Sequence, residues 1–445
     1  MAVLMKILQV ILALSILIVF HELGHFTWAK IFHIRVEKFF LFFDINGICL
    51  FSTRKSKWFT KLFPKALTWE TEYGIGWLPL GGYCKIAGMI DESMDTEQMK
   101  QPPQPWEFRT HNPWQRLLVM AGGVINNLIL AVLVYIAIMA IWGDSYIGNR
   151  GSKIYPNELA QEMGFRAGDE ILSLDNYVPE DFSMLQADLA RRKVHTATVL
   201  RGTDTLTLYI DQAMMSRVLN SNLMFDLAIP FVIDSVAAGN PNAAVLESGD
   251  HVVAFDGTPV DYLQDSRPVL AGLAGREAQA TVERGADTLL VPVQVDSAGR
   301  IGVYMRTPSV IRREYNVLQA VPAGIKLTGE MLRGYLQDLR LLATPSSGAY
   351  KSVGSFIAIG QVFPSSWDWY RFMFLLALLS VMLAVMNLLP IPGLDGGHIL
   401  FTLYEIVSGR KPSDKFMIGA QWVGMILLMV LMLLAFGNDI GRLIR

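Results

Sequence analysis

The residues best placed to do chemistry are His21, Glu22 and His25, which stand together in a His-Glu-Leu-Gly-His stretch near the amino terminus. On a helix, residues four apart share a face. The two imidazoles can therefore turn toward one divalent metal while Glu22 lies beside it as a proton acceptor. Zinc is the metal that this pattern suggests, and the chemistry is metal-assisted hydrolysis, with Glu22 taking a proton from the attacking water. Two histidines and a glutamate at a helix end can also cap backbone groups or face lipid headgroups. The surrounding elements decide between these readings.

Those elements are apolar. Of the 445 residues 52% are hydrophobic and 18% charged, with a net charge of -2. Such a composition suits a protein that is part membrane and part soluble, and no nucleic-acid partner is expected. Four segments are apolar enough to span a bilayer: residues 4–28, 117–142, 372–389 and 416–436. In the first, residues 7–20 carry no charge and cover about 21 Å of helix, less than the roughly 30 Å hydrocarbon core. Spanning therefore draws the His-Glu turn into the bilayer, where function is the default explanation of an ionisable group such as Glu22. A secretory signal peptide also begins with a charge such as Lys6 before an apolar run, but no small-x-small site precedes the motif, so an uncleaved anchor is expected.

Lysines and arginines crowd the connection between the first two spans, among them Lys55, Lys57, Lys61, Lys65 and Lys100, and recur between the last two at Arg410, Lys411 and Lys415. Both connections should then be cytoplasmic, with the central region outside. Cys49 and Cys84 imply no disulfide framework and are not spaced as zinc ligands; small buried apolar roles suit them.

Between the second and third spans the chain returns to soluble composition and repeats itself with a period of about 81 residues. Gly168-Asp169-Glu170-Ile171-Leu172 matches Gly249-Asp250-His251-Val252-Val253, and Ala197 to Gly202 matches Ala280 to Gly285. Each copy reads as a Gly-Asp turn, an alternating strand, an Asp-Asn or Asp-Gly turn and a strand ending at Arg-Gly. The pair resembles the PDZ pattern, in which an extended peptide adds to a sheet edge; the alternative is that it only fills space or shields the membrane site. Farther on, Ile325, Leu327, Leu332, Leu336, Leu339 and Leu342 recur at helical spacing around Arg333, Asp338 and Arg340. They predict an amphipathic helix, either on the membrane surface or packed on the second repeat.

The first connection also holds a glycine-rich apolar stretch, Gly74 to Tyr83, that reads as strands with tight turns. Gly76, Trp77, Leu78, Gly81 and Gly82 are candidates to clamp a substrate in extended form, and an interfacial anchor is the other reading. Two histidines leave a catalytic zinc one protein ligand short. The third span ends in Asn387-Leu388-Leu389-Pro390-Ile391-Pro392-Gly393-Leu394-Asp395-Gly396-Gly397-His398, where prolines and glycines break the helix and free backbone to line a cavity. Asp395 and His398 both qualify as the missing ligand. In the second span, Asn126 follows Ala121-Gly122-Gly123 and either hydrogen-bonds a developing oxyanion or ties two helices together.

Taken together, His21 to His25, Gly76 to Tyr83, Ala121 to Asn126, the paired repeats and Asn387 to Gly397 resemble the bacterial site-2 protease family of intramembrane zinc metalloproteases, almost end to end. The resemblance implies a polytopic α-helical membrane protein: four transmembrane helices, a membrane-associated β-hairpin region and two tandem PDZ-like α/β domains. It implies zinc held by His21, His25 and Asp395, with Glu22 as base and Asn126 and Asn387 in support. The implied substrates are single-pass membrane proteins, anti-sigma factors or signal-peptide-like segments, trimmed by an earlier cut and filtered by the PDZ-like domains. The implied place is the bacterial inner membrane, with the PDZ-like domains on the periplasmic or extracellular side and the active site near the cytoplasmic leaflet.

The expected order is the first span to residue 30, a cytoplasmic-side connection at 31–115, the second span at 116–142, PDZ-like domains at 143–225 and 226–308, and a helix with connector at 309–370. The third span with its ligand turn follows at 371–400, then a cytoplasmic loop at 401–415 and the fourth span with its tail at 416–445. The chain departs from the family at Gly123, where proline is common, at Ser355-Phe356 after Lys351-Ser352-Val353-Gly354, where Gly-Pro is common, and over an expanded stretch at 55–73. Two rivals stand beside this reading. A non-catalytic scaffold would bind peptide termini through the repeats, and an anchored protease for soluble peptides would carry its motif outside the apolar span.

Overall fold

A computed structural model describes residues 2–79, 81–89, 101–221, 223–306, 310–344, 354 and 356–444. Of the positions singled out above, Leu80, Lys100, Lys351 to Val353 and Ser355 lie outside the described residues. The chain divides into two compact units. One comprises Met1–Gly143, Glu314–Arg340 and Lys351–Arg445, and the other Asp144–Arg313 and Leu341–Tyr350.

The first unit contains, among the described residues, four helices long and apolar enough to cross a membrane. They are the first span, Ala2–Ile31, the second, Pro113–Ile141, the third, Trp369–Leu388, and the fourth, Asp414–Ile444. In hydrocarbon every backbone group must be satisfied within the segment, which makes helix the available solution for such sequences. The starts are set by polar caps. The Asn112 side chain accepts from the Trp114 amide ahead of Pro113, Gln115 closes a capping box, and Asp368 accepts from the Arg371 amide. Ala13, Leu17, Tyr135, Phe372, Leu376 and Val381 are buried where the first three spans meet.

Gly24 and Gly122 mark the closest crossing: a Cβ at Gly24 would stand 2.1 Å from the Gly122 carbonyl oxygen, and one at Gly122 2.6 Å from that of Gly24. Only two bare backbones fit at that separation.

The connection after the first span forms a four-stranded sheet in the order Cys49–Ser52, Glu72–Gly76, Val36–Leu41, Tyr83–Ile86. This is a mixed sheet rather than a hairpin, because Glu72–Gly76 runs parallel to Val36–Leu41 while Tyr83–Ile86 runs antiparallel to it. A parallel pair needs a long crossover, and residues 42–71, with the helix Lys57–Leu62, supply it. The expected loop at 401–415 is also largely helical. Asp395 opens a helix, Asp395–Ser408, that closes on Gly409 in the left-handed conformation, φ 68°. Apolar residues from Ile399 to Val407 continue the helix up to that glycine stop.

The amphipathic helix, Val317–Leu342, belongs to the first unit as far as Arg340 and packs on the spans through Ala320, Ala323, Leu327, Met331 and Tyr335. Its Gly324 lies against the Ile136 backbone. Ile325 and Leu336 of the predicted stripe are half exposed. Leu327, Leu332 and Leu339 of the stripe do pack on the spans, so the contact face keeps half of the predicted stripe and adds small residues that permit close approach.

The second unit holds two separate hydrophobic cores, one spanning Ile154 to Leu227 and the other Phe231 to Ile301. The sequence repeat is repeated in backbone detail. Gly168 and Gly249 have positive φ, 86° and 95°, and Asp175 and Asp256 are left-handed at 49° and 45°. In each copy a fully buried aspartate accepts from the arginine that ends the strand, Asp169 from Arg201 at 2.8 Å and Asp250 from Arg284 at 2.7 Å. Strands Asp144–Ile147 and Val310–Arg313 flank the two copies and pair with each other, Ile147 opposite Val310.

Candidate metal centre

Helical spacing places His21 and His25 one turn apart on the buried face of the first span. The broken end of the third span brings Asp395 to the same point. The three ligand atoms form a near-equilateral triangle: His21 Nε2 to His25 Nε2 is 3.4 Å, His21 Nε2 to Asp395 Oδ2 is 3.2 Å, and His25 Nε2 to Asp395 Oδ2 is 3.4 Å. Zinc bonds of about 2.0–2.1 Å in tetrahedral array put neighbouring ligand atoms roughly 3.3 Å apart, so the edges of the triangle match that spacing. Asp395 Oδ2 is buried and accepts no hydrogen bond, an uncompensated oxygen that a cation would satisfy. The donor set therefore fits zinc. His398 lines the adjoining cavity but stands outside this triangle.

His25 Nδ1 lies 2.8 Å from the Val119 carbonyl oxygen. A carbonyl only accepts, so Nδ1 carries the hydrogen and Nε2 keeps its lone pair for the triangle. Glu22 lines a cavity of about 470 Å³ that opens on the triangle, with Lys38, Phe43, Asp44, Tyr83 and Met120 on its walls. The Tyr83 hydroxyl donates to Asp44 at 2.6 Å and the Lys38 ammonium lies 3.3 Å from the same carboxylate. Burial pushes the Asp44 carboxyl up, but the Tyr83 hydrogen bond and the Lys38 charge outweigh it and hold it below the ordinary range. Burial, with the Glu22 charge adding to it, pushes the Cys84 thiol far up, so Cys84 stays a neutral wall residue.

The supporting residues divide. Asn387 Nδ2 comes to 3.3 Å from His21 Nε2. The Asn126 amide instead donates to the Phe20 carbonyl at 3.1 Å, tying the second span to the first. Its neighbour Asn127, fully buried, reaches His21 Nδ1 at 3.1 Å, a contact that sequence reasoning missed. Asn127 stands four residues after Gly123, and a Cβ at Gly123 would fall 2.5 Å from His21 Cε1 and 2.6 Å from His25 Nε2. Gly123 and Asn127 thus share the helix face that meets the histidines, and in this packing the departure from proline leaves room for both rings.

Of the clamp candidates, Gly76 is buried at the end of an internal strand, and the Trp77 and Leu78 amides are spent on the Phe43 carbonyl, at 3.2 and 3.4 Å. Gly81 and Gly82 lie in the following turn against Phe43 and Ile18. The sheet edge nearest the cavity is Tyr83–Ile86, whose Tyr83, Cys84, Lys85 and Ile86 all line it. Sequence reasoning also missed the pair of Arg116 and Glu405, 2.6 Å apart and mostly buried, which joins the start of the second span to the helix that begins at Asp395.

The model of peptidase family M50 matches residues 9–431. The chain belongs to that family. M50 peptidases are zinc-dependent site-2 proteases, and this member is a zinc metalloprotease of the membrane. It is 29% identical over 459 residues to a protein of Xylella fastidiosa (strain 9a5c) named "Putative zinc metalloprotease", with 97% of each chain covered. It is 26% identical over 475 residues to the "Regulator of sigma-E protease" of Salmonella typhimurium (strain 14028s / SGSC 2262), with the whole of both chains covered.

Proposed function

We propose that this M50 peptidase hydrolyses peptide bonds in the membrane-spanning segments of single-pass proteins already shortened outside the bilayer. His21, His25 and Asp395 hold the zinc, and Glu22 is the base. The observation that carries this is the triangle of ligand atoms at tetrahedral spacing, set at the end of an apolar span beside a cavity that Glu22 also lines.

Zinc bound there supplies Lewis acidity toward the peptide carbonyl and the attacking water. Glu22 takes one proton from that water as its oxygen attacks the carbonyl carbon, and delivers it to the leaving nitrogen as the carbon–nitrogen bond breaks. The Asn387 amide, close to His21, is placed to donate to the oxygen on which negative charge develops. Helical peptide bonds are hydrogen-bonded and shielded, so the substrate must be held extended. Edge strand Tyr83–Ile86 offers backbone pairing for this, whereas the Trp77 and Leu78 amides are engaged by the Phe43 carbonyl and Gly76 lies in an internal strand.

The two repeats of the second unit act as PDZ-like domains that admit only trimmed substrates. They lie on the periplasmic side of an inner membrane whose cytoplasmic leaflet lies near the zinc. The test compares a tagged single-pass helix bearing a short external tail with the same helix bearing a folded external domain. The intact protein should cut only the first. Deleting residues 148–309, whose flanking strands already pair Ile147 with Val310, should permit cutting of both. An unchanged preference after deletion would remove the filter from the account.

A further inference from the structure

We infer that Asn127 is a positioning residue for zinc: its side-chain oxygen accepts from His21 Nδ1 and so fixes the His21 tautomer that can bind metal. The inference rests on the proposed ligand set, and it starts from three observations about one buried amide. Asn127 is fully buried, its amide group meets His21 Nδ1 at 3.1 Å, and its Oδ1 has no hydrogen-bond partner.

A neutral imidazole has one donor nitrogen and one acceptor nitrogen. If the Asn127 NH2 donated to Nδ1, the ring hydrogen would sit on Nε2, the atom aimed at Asp395 and His25, and no lone pair would face the metal. A half-turn of the amide exchanges its oxygen and nitrogen without moving any other atom, and hydrogen bonding decides which faces the ring. With Oδ1 toward His21 the buried oxygen gains a donor, Nδ1 keeps its hydrogen, and Nε2 is free. His25 has the same arrangement with a partner that allows no choice, the Val119 carbonyl at 2.8 Å. Both rings then donate from Nδ1 to an acceptor on the second span and turn Nε2 to the zinc. An outer acceptor of this kind orients the ring and raises its basicity.

The position of Asn127 is itself held from the other side. The Ser380 hydroxyl, buried in the third span, donates to the Asn127 carbonyl oxygen at 2.7 Å. The second span is therefore pinned at this residue between the helix bearing His21 and the span that leads to Asp395. Asn126, one position away, donates to a backbone carbonyl and has no contact with either ring nitrogen.

The experiment is zinc affinity of the purified full-length protein by competition with a chelator at pH 7, for the intact chain, Asn127→Leu, Asn127→Asp and His21→Ala. Removing an acceptor behind a zinc-bound histidine typically costs about 10- to 100-fold in metal affinity. Asn127→Leu should show such a loss, and Asn127→Asp, which keeps an oxygen acceptor, should bind zinc at least as tightly as the intact chain. Thermal unfolding of the metal-free proteins serves as the second readout: leucine leaves the buried His21 Nδ1 hydrogen without its acceptor and should lower the unfolding temperature of the apo fold modestly, whereas Asn127→Asp keeps that acceptor and should not. Equal zinc affinity for Asn127→Leu and the intact chain would overturn the inference. So would a loss in Asn127→Asp as large as that in Asn127→Leu. Should His21→Ala bind as tightly as the intact chain, the ligand set itself would fail, which separates that outcome from failure of Asn127 alone.

Discussion

Gly24→Ala should disable the protease through a single methyl group that touches no catalytic atom. The new Cβ would lie 2.1 Å from the Gly122 carbonyl oxygen, where ordinary contact begins at 3.4 Å, so the first and second spans must part by about 1.3 Å at the crossing. Overpacking of this kind costs about 1–3 kcal/mol, which a folded membrane bundle can survive. The metal triangle cannot absorb it so easily, because its edges are only 3.2 to 3.4 Å and His21 and His25 ride on the displaced span. A misplacement of 1 Å costs roughly 100-fold in rate. The expected result is an inserted, folded protein that cleaves a tagged single-pass helix about 100-fold more slowly and holds zinc more weakly. Gly122→Ala, with its nearest approach at 2.6 Å, should lose less, and Gly437→Ala, whose Cβ meets nothing within 4 Å, should lose nothing. Cleavage by Gly24→Ala within threefold of the intact chain, or a loss in Gly437→Ala as large as in Gly24→Ala, would refute the reasoning.

Two further outcomes are expected. Arg116→Met or Glu405→Leu alone leaves a buried partner charge uncompensated and should cost about 3–5 kcal/mol, while the double substitution should cost less than either, as read from thermal unfolding in detergent; additive losses would contradict the pairing. In the second unit, burial pushes the Asp250 carboxyl up, but the Arg284 guanidinium outweighs it and holds it below the ordinary range. A depressed folded pKa adds stability above the unfolded value, about 3.9, and that stability is lost as pH falls through the lower folded value. Asp250→Asn should therefore lower the unfolding temperature at pH 7, with the gap narrowing as the pH falls below the unfolded value of about 3.9; a constant gap down through the acid range would exclude this origin.

Much of the site was legible because its signals are local. The spacing of His21 and His25 fixes a shared helix face, which the structure shows buried on the first span. The Gly168 and Gly249 segments share a Gly-Asp turn, and the structure gives each a buried aspartate paired with an arginine, Asp169 with Arg201 and Asp250 with Arg284. What stayed hidden depends on contacts between distant segments. Nothing local distinguishes Asn126 from Asn127, yet a step of one residue turns a side chain through about 100° and decides which one meets His21. The parallel pairing of 72–76 with 36–41 is a long-range event, and it buries Gly76 inside the sheet that local pattern had offered as a clamp. Arg116 and Glu405, 289 positions apart, carry no mutual signal at all.

The central claim is that Glu22 moves the proton while His21, His25 and Asp395 hold the metal. The most direct test is cleavage of a tagged single-pass helix with a short external tail, in lipid, by the intact protein and by Glu22→Gln adjusted to equal zinc content. The account predicts product from the intact protein and a loss of about 10²- to 10⁴-fold in Glu22→Gln with zinc retained. Comparable cleavage by both proteins, or failure of both on several such helices with zinc in place, would contradict it.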